Sequence, residues 1–275
     1  MLKIDKVVLI TGASSGMGKQ TALFLASLDF IVYAGSRNPQ KLEDIKQKNL
    51  IPIKLDITNS SNITQTINTI YKEHNQIDIL INNAGYGLVC TVEDVTEEQI
   101  YDQFNINVFG VLRVCQAVIP EFRKQNSGII INISSFLGQI GLPLLTLYNS
   151  SKYAVEGITD SLRYELKDFN IRVHSIMPGF FSTNFAKDNL KINDKTFDKN
   201  SPYSKIVSSL APTILDQINN GNDSKEIAKI ILEIIQNDKF QARVTAGEKA
   251  KKFIPMKKEL SDEDFERRVR EYYEL

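Results

Sequence analysis

The stretch Val7-Val8-Leu9-Ile10-Thr11-Gly12-Ala13-Ser14-Ser15-Gly16-Met17-Gly18 decides the fold, because an apolar run passes through glycines straight into a helical period carrying Ala22, Leu25 and Leu28. A short β-branched run that is apolar at every position fits a strand covered on both faces. The same alternation recurs along the chain. Strand candidates follow at residues 31–35, 51–55, 77–81, 129–133, 172–176 and 243–245. Between them, residues 59–74 carry Ile63, Ile67 and Ile70 at helical spacing, and Thr96-Glu97-Glu98-Gln99 has the pattern of a capping box. That box opens a long helical period through Ile100, Phe104, Val108, Val111, Leu112, Cys115, Ile119 and Phe122. A second one runs from about 148 to 169 with Val155, Ile158, Leu162 and Leu166. Strand–helix–strand repetition with short connections predicts an α/β fold: a doubly wound parallel sheet of about seven strands with helices on both faces. No linker, repeat or low-complexity block divides residues 1–275, so a single domain is expected. The rhythm breaks at about 182–222, which shows no evident strand and is expected to be a lid over a binding site. Residues 261–274 read as a charged surface or partner-contacting helix.

With 42% hydrophobic and 24% charged residues, the composition is that of a globular domain rather than a fibrous or disordered one. Lys plus Arg equals Asp plus Glu at 33 each, so no overall field favours nucleic acid or an anionic membrane. Two cysteines, Cys90 and Cys115, exclude a disulfide framework and suit a reducing compartment. The first apolar run is too short for a signal-peptide core or a membrane span, and a cytoplasmic protein is expected. His74 and His174 lie far apart in different settings, and no metal site is expected.

Gly12, Gly16 and Gly18 lie where a strand feeds a helix, and there unpaired backbone N–H groups and the helix dipole can receive a phosphate. Glycines let a pyrophosphate approach the backbone, although the spacing is G-x-x-x-G-x-G rather than the familiar G-x-G-x-x-G. A glycine-rich turn without a ligand is the plain alternative. At the end of the second strand candidate the chain reads Gly35-Ser36-Arg37-Asn38, where a carboxylate would serve the ribose 2′-hydroxyl of NAD. A guanidinium there can pair with a 2′-phosphate or simply stand in solvent, so NADP(H) is preferred and NAD(H) is possible. Asp56 can reach an adenine amino group or act as an ordinary turn aspartate.

Tyr148 and Lys152 stand four residues apart, on one face of a helix. A cation beside a phenol, whose free pKa is about 10, favours the phenolate and turns tyrosine into a usable acid–base group. That spacing alone is weak evidence. It gains weight from Ser135 at a strand's carboxyl end, from Asn82-Asn83-Ala84-Gly85 at the same edge, and from Asn107, a polar residue in an apolar helical run that needs a buried partner.

Together these residues resemble the short-chain dehydrogenase/reductase family in its single-domain form. The likeness covers residues 6 to about 235 and rests on TGxxxGxG from Thr11, NNAG at Asn82–Gly85, Ser135, YxxxK at Tyr148–Lys152, and Pro178-Gly179 with Thr183 beyond. It implies a Rossmann fold, a nicotinamide cofactor and a catalytic tetrad of Asn107, Ser135, Tyr148 and Lys152. In that tetrad Tyr148 exchanges a proton with the substrate oxygen and Ser135 hydrogen-bonds that oxygen. Lys152 binds the nicotinamide ribose and lowers the tyrosine pKa, and Asn107 holds a water that relays protons to Lys152. The resemblance places the cofactor on Gly12, Ser14, Ser15, Gly16, Met17 and Gly18, then on Ser36, Arg37, Asn38, Asp56 and Ile57. Its nicotinamide half falls to Asn83, Ala84, Gly85, Tyr148 and Lys152, with Pro178, Gly179, Phe181 and Thr183 near the carboxamide. One NADP-preferring feature is missing, since Ser15 rather than a base precedes Gly16, and the preference rests on Arg37.

Residues 83–165 look most like NADP-linked enzymes of hydrophobic carbonyls and alcohols, such as hydroxysteroid and retinol dehydrogenase relatives. The residues expected beside Tyr148 are apolar: Phe136, Leu137, Leu142, Leu144, Leu145, Phe180, Phe181 and Phe185. A pocket of that kind suits a small apolar carbonyl or alcohol. Two alternatives are a β-ketoacyl carrier-protein reductase, for which the basic stretch 249–258 would meet an acidic carrier, and an NADP(H)-sensing protein without turnover. Relatives pair their long helices, so a homodimer or homotetramer is expected.

Overall fold

The computed structural model describes residues 6–182 and 189–275. All seven expected strands form: β1 (Val7–Thr11), β2 (Ile31–Ser36), β3 (Leu50–Lys54), β4 (Ile79–Asn82), β5 (Gly128–Ile133), β6 (Ile171–Pro178) and β7 (Arg243–Ala246). They make one sheet in the order β7-β6-β5-β4-β1-β2-β3, and every ladder is parallel. The order reverses between β1 and β4, and the crevice at the carboxyl ends of those strands is where this architecture receives ligands.

The helices are α1 (Gly16–Ser27), α2 (Ser60–His74), α3 (Glu97–Phe104), α4 (Gly110–Gln125), α5 (Thr146–Leu166), α6 (Ser204–Asn219), α7 (Lys225–Gln236), α8 (Gly247–Glu259) and α9 (Asp262–Tyr273). Successive strand residues point to opposite faces, so β1 feeds two cores. Val8 and Ile10 pack with Leu25 of α1 and Ile227 and Ile231 of α7. Val7 and Leu9 pack with Ile67 of α2, Val114 and Val118 of α4, and Val155 and Leu162 of α5. Among the described residues no helix is long and apolar enough to cross a membrane.

Three elements depart from the sequence expectation. The long helix opened by the Thr96 capping box is interrupted by a π-turn at Asn105–Phe109. An extra residue in one turn rotates the buried face. Asn107 and Val108 therefore point inward, while Ile100 and Leu112 are left 41% and 43% exposed.

Within 182–222, where no strand was evident, Leu190–Ile192 pairs with Gly87–Val89, and Asn222–Asp223 pairs with Phe181–Ser182 around α6. A polar staple holds the first part of this segment: Asp94 Oδ2 accepts from Thr91 Oγ1 at 2.7 Å and Thr196 Oγ1 at 2.8 Å. Helix α9 is charged as expected, yet it buries Phe265, Val269 and Tyr273 in one stripe, with Tyr273 stacked 6.3 Å from Phe253 of α8. It closes the core over the segment around α6 rather than standing apart on the surface.

Candidate active site

The crevice is built by a lock between the ends of β1 and β4. Thr11 Oγ1 accepts from Asn83 N and Ala84 N, both at 3.0 Å. Asn83 Nδ2 in turn donates to the carbonyls of Thr11 and Gly12, each at 3.0 Å. Gly12 adopts φ +66°, and a Cβ there would come within 2.7 Å of Ala84 Cα, so only glycine allows the two loops to touch. Gly18 does not line the crevice; it lets α1 rest on the Asn83 amide, with no room for a side chain. Ser15 caps α1 in extended conformation without a side-chain bond to the helix, and the first turn carries no acid. The hydroxyl and the leading N–H groups are thus free of competitors for an anion.

A cavity of about 330 Å³ follows, lined by Gly12, Ser14, Ser15, Gly16 and Met17 at one edge. Ser36, Arg37, Asn38, Asp56 and Ile57 form its far end, and Asn83, Ala84, Gly85, Tyr148 and Lys152 its near end. Ser36 Oγ is buried without a partner among the described residues, an orphaned hydroxyl on the wall. Asp56 Oδ1 accepts from Thr58 N at 2.9 Å and from Thr58 Oγ1 at 2.7 Å, so this oxygen holds a turn while the residue faces the cavity.

The four tetrad residues converge from β5, α5 and the π-turn. Ser135 follows β5; its hydroxyl accepts from Leu137 N at 3.1 Å, and with Tyr148 it lines the apolar side of the crevice. Burial pushes the Tyr148 phenol up to about 12, with Ser135 pulling against it. Lys152 Nζ donates to the Ile133 carbonyl at 2.9 Å and lies 5.7 Å from the centre of the Tyr148 ring. Burial brings the ammonium down to about 8, opposed by the negative charge of Glu156.

Asn107 meets its predicted need for buried partners. Its Oδ1 accepts from Tyr86 N at 3.0 Å, and its Nδ2 donates to the Tyr86 carbonyl at 2.9 Å and to Ser151 Oγ at 3.0 Å. A Cβ at Gly85 would sit 3.2 Å from Asn107 Oδ1 and 3.7 Å from Lys152 Nζ, so a glycine keeps open the gap between amide and ammonium.

A second, apolar cavity of about 80 Å³ adjoins the first and shares Met17, Ser134 and Tyr148 with it. Pro178, Gly179, Phe181, Phe136, Leu137, Leu145 and Phe180 line it as expected. Leu142 and Leu144 do not; they pack in the apolar cluster behind it. Phe185 and Thr183 lie outside the described residues.

The short chain dehydrogenase family model matches residues 6–193. The chain belongs to this family. The chain is 39% identical over 241 residues to a 3-ketodihydrosphingosine reductase of Bacteroides thetaiotaomicron, covering 87% of each chain. A solved short-chain dehydrogenase from Streptomyces avermitilis superposes with a TM-score of 0.81 at 29% identity, covering 98% of this chain and 96% of that one. The structure of ElxO with NADP bound superposes at 0.70 with 26% identity, covering 88% and 96%.

Several residues at the site of this dehydrogenase were not singled out from its sequence. Lys41 and Thr58 line the far end of the larger cavity and Asn189 and Lys191 its rim, while Leu190, Ile214 and Ile218 wall the apolar one. Lys41 lies four residues past Arg37 in a 3₁₀ turn led by Pro39, so nearness to the strand end was the usable signal. The residues of 189–218 carry no motif and reach the site only through tertiary packing. Because Thr11 Oγ1 satisfies two N–H groups at the loop junction, Thr11→Val should lower stability by about 2 kcal/mol. The urea midpoint of the dehydrogenase reads this directly, and an unchanged midpoint would show that the lock is dispensable.

Proposed function

We propose that the protein is an NADP(H)-dependent oxidoreductase that interconverts a carbonyl and an alcohol on a small apolar substrate, with Tyr148 as the general acid–base. The observation that carries this reading is the meeting of a polar and an apolar cavity at Tyr148. The residues present suit the dinucleotide: an acid-free helix start, a glycine junction against Ala84, and an orphaned Ser36 hydroxyl beside Arg37 and Lys41. Among the described residues neither Arg37 nor Lys41 is engaged in an ion pair, which leaves two cations for a 2′-phosphate. No carboxylate follows β2 to repel that phosphate or to hold a bare 2′-hydroxyl. NADP(H) is therefore preferred and NAD(H) possible, in keeping with the NADP bound to ElxO.

A nicotinamide held beside Tyr148 and Lys152 would supply or accept the hydride. In reduction, Ser135 and Tyr148 hold the carbonyl oxygen, and the phenol, protonated at neutral pH, gives that oxygen its proton. Lys152, with the gap to Asn107 held open at Gly85, returns a proton to the phenol. The described part of 182–222 covers the apolar side through Leu190, Ile214 and Ile218. Among the described residues that lining carries no charged side chain, which suits a ketone with a hydrocarbon arm, and the Bacteroides relative is named 3-ketodihydrosphingosine reductase. The basic stretch 249–258 that would suit an acidic carrier is largely engaged within the fold. Lys249 bonds the Tyr272 hydroxyl, Lys251 pairs with Glu226 and Lys257 with Asp262.

The exposed apolar side chains Ile100, Tyr101, Phe109 and Leu112 along α3 and α4, with Tyr153 and Tyr164 on α5, support pairing of copies into a homodimer or homotetramer. Sedimentation is expected to show that assembly; a monomer at micromolar concentration would refute it. Tyr148→Phe should cut carbonyl reduction by about 100-fold or more while leaving NADPH binding within a few-fold. Retained turnover would remove Tyr148 from its role. Arg37→Ala should weaken NADPH by roughly tenfold to a hundredfold and NADH little. Equal losses for the two nucleotides, measured by fluorescence titration, would refute the 2′-phosphate assignment.

A further inference from the structure

One helical turn past Lys152, on the same face of α5, lies a second buried charge that the proposed chemistry does not use. Glu156 is 4% exposed and Lys152 6%. Glu156 Oε2 accepts from Arg243 Nε of β7 at 2.6 Å and from Ser175 Oγ of β6 at 3.1 Å. Its Oε1 is buried with no partner among the described residues. Arg243 also pairs through Nη2 with Asp160, one further turn along α5. One guanidinium is thus shared between two carboxylates, and the trio carries a net negative charge that Arg243 cannot balance. Lys152, buried one turn back on the same face of α5, is a cation on which the charge of Glu156 acts.

The packing keeps this group against the site. Gly138, in the turn that follows Ser135, would place a Cβ 2.9 Å from the Lys152 carbonyl and 3.1 Å from Glu156 Cγ. Only a glycine lets that turn lie directly on the Lys152–Glu156 stretch of α5. Other polar groups on the neighbouring elements have partners of their own among the described residues. Tyr148 presents its ring to Lys152, and Asn107 its amide oxygen near Gly85. His174 on β6 is turned to the Gln241 carbonyl through Nδ1, and burial holds its pKa down, which favours the neutral ring. Glu156 is the acid whose charge acts on Lys152.

We propose that Glu156 is a positioning residue for the Lys152 ammonium: a buried carboxylate, anchored by Arg243 and Ser175, that supplies the opposing charge from one helical turn away. Burial alone favours a neutral amine, and an opposite charge in low dielectric restores the ammonium. The inference rests on the proposed role of Lys152 but concerns the charge state of that lysine, which can be followed without turnover.

The test is an NMR titration of the full chain with isotope-labelled lysine Cε, in which the Lys152 signal is assigned by its loss in Lys152→Met. Glu156→Gln keeps the side-chain volume and an acceptor for Ser175, and should lower the Lys152 midpoint by about one pH unit. Asp160→Asn should lower it in the same direction by less. Ser175→Ala, which removes a hydrogen bond and no charge, should leave it in place. The alkaline limb of the reductase pH profile should move down with the midpoint in Glu156→Gln. An unmoved Lys152 midpoint in Glu156→Gln overturns the proposal, and Asp160→Asn decides it should that variant not fold. If the chain reduced no carbonyl at all, the oxidoreductase reading would fail, while the titration would still read the charge state of Lys152 and its dependence on Glu156.

Discussion

Burying a lysine ammonium is the constraint around which the site is organised. An unpaired charge in a protein interior costs several kcal/mol, and an amine answers by releasing its proton unless acceptors and counter-charges are brought to it. Here the acceptor is the Ile133 carbonyl, at the end of β5 next to the switch of strand order. The counter-charge is Glu156, held through Arg243 to β7 at the edge of the sheet. Two parts of the sheet and one helix must therefore be in register for Lys152 to keep its charge once buried, and those same parts carry Ser135 and Tyr148. Folding and the electrostatics of the site are satisfied by one set of contacts.

The crevice has two unlike halves for a related reason. Towards β1 and β2 its walls are loop backbone, hydroxyls and cations, because the glycines between β1 and α1 leave N–H groups uncovered and Arg37 and Lys41 sit at the end of β2. Towards β6 the wall is Phe136, Leu145, Phe180 and Phe181, completed by Ile214 and Ile218 of α6. A charged nucleotide and a hydrocarbon arm would each be disfavoured in the other half. Tyr148, Ser134 and Met17 stand on the boundary, and the phenol carries the hydroxyl that can serve a reaction between the two occupants.

Most of this was legible where a signal is local. The inner strands were legible as apolar runs because they are covered on both faces, whereas the edge strands β3 and β7 carry Lys54 and Arg243; the glycine loop and the Tyr148–Lys152 spacing depend on backbone geometry alone. Asn107 was conspicuous as a polar residue in an apolar run, but the π-turn that aims it inward was not, since a hydrophobic period of α type also accommodates one inserted residue. The wall from 189 to 218 was hidden for a different reason. Leu190–Ile192 is short and includes Lys191, and it is a strand only because Gly87–Val89 offers it an edge. The stripe Phe265, Val269 and Tyr273 was masked by the charges between them, although spacing by four is a helical period. Leu142 and Leu144 belong to the pocket by composition alone, which says that a side chain is buried but not on which side of Phe136 it lies.

The direction of proton flow follows from the opposing effects of burial on the two ionisable groups. Burial raises a phenol and lowers an amine, here to about 12 and about 8. At neutral pH both still hold their protons, so the resting site is a donor. That is the state required to protonate the oxygen of a carbonyl, whereas alcohol oxidation needs a phenolate, which this environment disfavours. One of the three donors of the ammonium is committed to Ile133. The other two are left for the proposed proton exchange with the phenol, so the acid–base role of Tyr148 draws on the charge kept on Lys152.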